Sequence, residues 1–152
     1  MLALHGDPLF SYFEGESGSR TIDNPRAGIT EDNLWILLRG LRGPFLQPGE
    51  KKTFEFLPGV YHGRLAHKPA QWTTAEIERS AGDVIIYTVR IAGGRTGKFW
   101  IESEYPHRIR RWELAPDLQA ELTGSLRVQY WTLHDNEHES YLKELGLQPT
   151  LD

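Results

Sequence analysis

The sequence predicts a mainly β protein: an antiparallel curved sheet, a half-barrel or a barrel, of about eight strands with one or two helices. Three observations lead there. Five Trp, six Tyr and six Phe recur with β-branched residues in short runs, and such side chains pack well on a pleated surface. Fifteen Gly and nine Pro are spread between those runs and supply turns. No βαβ crossover is visible, so neighbouring strands join as hairpins and pair antiparallel. A β-sandwich is the alternative architecture.

Taken in order, residues 10–14 form a weak first strand. Thr30-Glu31-Asp32-Asn33 caps a helix whose Leu34, Leu37, Leu38 and Leu41 fall at helical spacing, with Gly43-Pro44 as its stop. The same stretch also fits a buried strand. A strand over 51–56 lies between Pro48-Gly49 and Pro58-Gly59, and strands over 60–66 and 72–79 flank His67-Lys68-Pro69. The clearest region is a meander. Its first strand, 83–91, is dense in Val, Ile and Thr; Gly93-Gly94 and Gly97 turn the chain; 98–104 returns; Tyr105-Pro106 breaks it; and 107–114 follows. Strands over 118–122 and 126–133 are separated by Gly124-Ser125. At the C-terminus, Asn136 and Glu139 have capping-box spacing ahead of Tyr141, Leu142 and Leu145, with Gly146 as the helix stop.

The chain of 152 residues reads as a single domain, 1–152, long enough to bury a core without staples. A formal net charge of −4, with acids and bases interspersed, argues against a nucleic-acid footprint. The absence of cysteine excludes disulfides, thiolate metal sites and cysteine nucleophiles. No apolar run reaches the length of a membrane span, and Met1-Leu2-Ala3-Leu4 is too short for a signal peptide.

Within the meander, Gly94, Phe99-Trp100-Ile101-Glu102, Tyr105-Pro106-His107, Ile109 and Arg111-Trp112-Glu113 form a pattern. It resembles a motif of uncharacterised bacterial cell-envelope proteins, in which a hairpin with an aromatic pair meets a Pro-containing corner. The resemblance covers about twenty residues and implies a fold like the half-barrel lipoprotein carriers. It implies an envelope or periplasmic location; otherwise the expected location is the cytoplasm.

Several constellations carry possible chemistry. Alternation along 98–104 puts Trp100, Glu102 and Glu104 on one face, and along the next strand groups Arg108, Arg110 and Trp112. Facing acids and arginines are either cross-strand ion pairs or a general base with an anion clamp. His62 and Arg64 share a face of 60–66, where a cation beside an imidazole would lower its pKa and hold a carboxylate. His107 follows the corner. His134-Asp135-Asn136-Glu137-His138 matches H-x-x-E-H, but the cap at Asn136 leaves His134 outside the helix, so no metal is expected.

Three functions compete. The first is a small-molecule binding protein that holds an apolar or amphipathic ligand in a concave, Trp-lined pocket. Trp100, Trp112 and Trp131 would stack on the ligand, and Arg64, Arg108 or Arg110 would hold its acidic end. The second is a cofactor-independent enzyme working by acid–base chemistry from Glu102, Glu104, His62 and His107. The third is a structural or assembly protein, consistent with a homo-oligomer.

Overall fold

The computed structural model describes residues 22, 23, 25, 27–59, 69–116 and 118–147. The strands expected at 10–14 and 60–66, and with the latter His62 and Arg64, lie outside the described residues.

Seven strands form one curled sheet, a half-barrel, in which spatial order equals chain order. They are β1 (Ile29–Thr30), β2 (Lys51–Leu57), β3 (Thr73–Arg79), β4 (Ile85–Ile91), β5 (Thr96–Ile101), β6 (Ile109–Leu114) and β7 (Leu118–Glu121). From β2 to β7 every pairing is antiparallel, as hairpin connections require. The exception is β1, which pairs parallel with β2 through Ile29↔Phe56 and Thr30↔Leu57. Helix α1 (Glu31–Leu37) makes the crossover, so the sheet is mixed, where the sequence alone suggested antiparallel pairs throughout.

The stretch after Ile29 resolves as helix, not strand. The Thr30 hydroxyl accepts from the Asn33 amide at 3.3 Å, and Leu34 and Leu38 fall on one buried stripe. Both join Phe56, Ala75, Ile77, Tyr87, Val89 and Phe99 in the core, so α1 covers one face of the sheet, here called the inner face. The opposite, outer face carries exposed ion pairs, Lys51–Glu76, Arg90–Glu76 and Arg90–Glu78.

Beyond β7 the expectation of a strand over 126–133 is not met. The chain runs irregularly to a 3₁₀ turn at Tyr130–Thr132, then a second at Asn136–Glu139, and only then helix α2 (Ser140–Glu144). Asp135 precedes the second turn with no side-chain cap. Gly146 ends the helix at φ 76°, a left-handed conformation that glycine adopts without strain.

Candidate functional site

Register decides which faces the expected site residues occupy. Along β5 and β6, Gly97 pairs with Leu114, Phe99 with Trp112 and Trp100 with Arg111, but Ile101 pairs with Ile109. Arg110 is therefore an extra residue, a β-bulge, and the side-chain alternation before and after it differs by one step. The expectation that Trp100 and Trp112 would serve one site fails for this reason. Trp112 lies on the inner face, edge-on to Trp35 of α1 with ring centroids 5.0 Å apart, and Trp35 in turn meets Phe99 at 5.2 Å. Trp100 lies on the other face, with Lys98 Nζ 4.8 Å and the Arg111 guanidinium 5.1 Å from its ring. Trp131 sits on no strand; it is 59% exposed on its 3₁₀ turn beside Tyr130.

The inner face shows a gradient of cover. One cross-strand row runs Ile77, Val89, Gly97, Leu114, Leu118, and a second runs Tyr87, Phe99, Trp112, Ala120. Ile77 and Val89 are fully buried and Leu114 is 6% exposed, but Leu118 is 37% exposed. In the second row Tyr87 and Phe99 are buried, Trp112 is half-buried and Ala120 is exposed. The helix covers the middle of the sheet and leaves the β6–β7 end of its apolar face open. An open depression of about 450 Å³ lies at this end of the sheet; Leu114 and Leu118 reach it, but its polar lining, Thr88, Lys98, Glu113 and Gln119, forms a row of the outer face.

The acids and arginines of the corner do meet. Glu102 accepts from Arg108 Nε at 2.7 Å and lies 3.5 Å from Arg110. The Arg108 hydrogen bond holds the Glu102 carboxyl below the usual glutamate range, against a smaller opposing effect of desolvation. A carboxylate so stabilised is a poor general base. His107 Nδ1 is 3.1 Å from the Glu102 carbonyl oxygen, and its backbone amide donates to Glu104. Glu104 itself is exposed on the turn. Arg39, just past α1, donates to the Pro106 and His107 carbonyls at 2.8 and 3.1 Å, clamping the corner onto the helix. The group is thus a braced corner, with Arg110 its most exposed cation, at 52%.

Two features escaped the sequence reading. Glu31, 5% exposed, takes a bidentate pair from Arg95 at 2.8 and 2.6 Å and a hydrogen bond from the Gly59 amide at 2.7 Å. Nothing local in the sequence marks Glu31 as buried, since an acid in the first helical turn is usually solvated. In the C-terminal turn, ligand atoms of Asp135, Glu137 and His138 lie within 4.8 Å of one another; His134 is not among them. This group is mostly exposed, and its spacing is not that of the H-x-x-E-H pattern. Among the described residues no helix is long and apolar enough to cross a membrane.

No protein-family model, curated protein or solved structure matches this chain.

Proposed function

We propose that this protein binds a small apolar or amphipathic ligand at the uncovered β6–β7 end of its inner face. The observation that carries the reading is the graded exposure of one apolar row, from buried Phe99 through half-buried Trp112 to exposed Ala120. A contiguous apolar surface left open next to a packed core is where burial of a ligand gains most, at about 25 cal/mol per Å². The ligand's body lies on Trp112 and Leu118. The half-barrel fold is compatible with this reading, and the resemblance to envelope half-barrel carriers agrees with it. The acid–base alternative is less favoured because its central carboxylate, Glu102, is tied up by arginine.

Palmitate titrated against the purified protein, followed by calorimetry, tests the proposal. Saturable binding is expected, weakened about tenfold by Trp112→Ala, a loss of about 1.4 kcal/mol. Trp131→Ala should bind as the wild type does. No saturable binding by the wild type, or unchanged affinity in a Trp112→Ala variant that still melts cooperatively, would reject this site.

A further inference from the structure

The free edge of β7 carries a second kind of information. Leu122 donates its amide to the Arg110 carbonyl at 2.8 Å, in the same register that pairs Trp112 with Ala120 and Leu114 with Leu118. Bonded and non-bonded pairs alternate along an antiparallel ladder. The bonded pairs of β6 and β7 are therefore Arg110–Leu122, Trp112–Ala120 and Leu114–Leu118. The amides and carbonyls of Gln119 and Glu121 point away from β6. Among the described residues β7 is the last strand of the sheet, and all four of its residues are exposed. Within the strand this edge has no proline, no lysine and no bulge.

We infer that β7 is a dimerisation edge, pairing antiparallel with β7 of a second copy about an axis through Ala120. The register follows from the groups available. Gln119 of one copy and Glu121 of the other exchange their outward-pointing main-chain hydrogen bonds. Ala120 meets Ala120 of the second copy in the narrower, non-bonded position, where a small side chain suits the close approach. Leu118 lies beside Leu122 of the second copy on the inner face, apolar against apolar. On the outer face Gln119 lies beside Glu121 of the second copy, so no like charges are opposed. Moving the axis one residue on would set two Glu121 carboxylates face to face, which is unfavourable. Pairing about Ala120 continues the inner apolar row across the axis.

A second copy is favoured over an unrelated peptide because the edge matches itself in side-chain size and hydrogen-bonding phase and opposes no like charges. The pairing uses main-chain groups, so it does not depend on the ligand reading, and it is tested without palmitate. Sedimentation velocity of the full chain across the micromolar range should show a monomer–dimer equilibrium. Gln119→Pro removes an amide that serves no bond within the protein's own ladder, so it should preserve the melt and raise the dimer Kd by about tenfold or more. Ala120→Lys, which sets two cations at the axis, should do the same and decides the matter if the proline variant does not fold. A wild type that is monomeric at every concentration overturns the proposal. So does a dimer that survives the folded Gln119→Pro variant, or Ala120→Lys if that variant must decide.

Discussion

At the scale of single residues, two glutamates do different work because their surroundings differ. Glu31 is withdrawn from water and paired with Arg95, joining the start of α1, the end of β2 and the β4–β5 turn. Glu31→Ala leaves Arg95 without this carboxylate and should cost about 3–5 kcal/mol in urea unfolding, because removing one partner of a buried pair strands the other charge. A loss under about 1 kcal/mol would mean the pair behaves as a surface one. Glu102 is reachable by water, and its effect is read through pH. Folding favours its charged form, chiefly through the Arg108 hydrogen bond. Its stabilising contribution is therefore complete above the ordinary glutamate range and is lost as the pH falls through the lowered value. The Tm gap between wild type and Glu102→Gln should be open at neutral pH and close between about pH 5 and pH 3. A gap that widens on acidification would contradict the assignment. Burial raises the Tyr87 phenol, against an opposing backbone hydrogen bond at Leu46, so this ring stays neutral in the core.

At the scale of elements, close approach explains Gly97. A Cβ there would stand 2.8 Å from Leu114 Cδ2 and 3.2 Å from Phe99 Cε2, both buried. Gly97→Ala should destabilise by about 1–3 kcal/mol through overpacking, measured as a shift in the urea midpoint at constant m. The sequence reading took Gly97 as part of a turn; in the structure it is a strand residue that makes room for Leu114. Strand identity was largely legible. The expected 51–56, 72–79, 83–91, 98–104, 107–114 and 118–122 all correspond to observed strands, because β-branched density and Gly/Pro punctuation are local signals. The bulge at Arg110 was not legible. It depends on how β6 settles against β5, and a single extra residue moved Trp112 to the opposite face from Trp100. The candidate site was accordingly half visible: the Glu102–Arg108–Arg110 contact follows from the corner, whereas the pairing of Trp112 with Trp35 requires the tertiary fold. The apolar positions of 126–133 suggested a strand, yet among the described residues this stretch joins no strand of the sheet and the edge of β7 stays open.

At the scale of the whole molecule, burial is unevenly shared. Among the described residues the core falls between Leu34 and Leu114, and from Ala115 to Leu147 none is buried. Leu126, Tyr130, Trp131, Leu142 and Leu147 are exposed large apolar side chains in that later stretch. A chain ending after Thr123 should therefore keep a cooperative melt within a few degrees of the full protein, since little of the apolar burial is removed. A collapse of the transition would show that the later stretch supports the core. The order of the strands has a further consequence, for the ribosome. Because each strand from β3 onward lies against the strand made just before it, an emerging strand finds its partner already outside the exit tunnel. The sheet can grow from one side in the direction of synthesis, with short loops to close at most steps. A nascent chain stalled beyond Leu114 already holds the whole core of the described residues, and the strand added last is the one that remains open to another molecule.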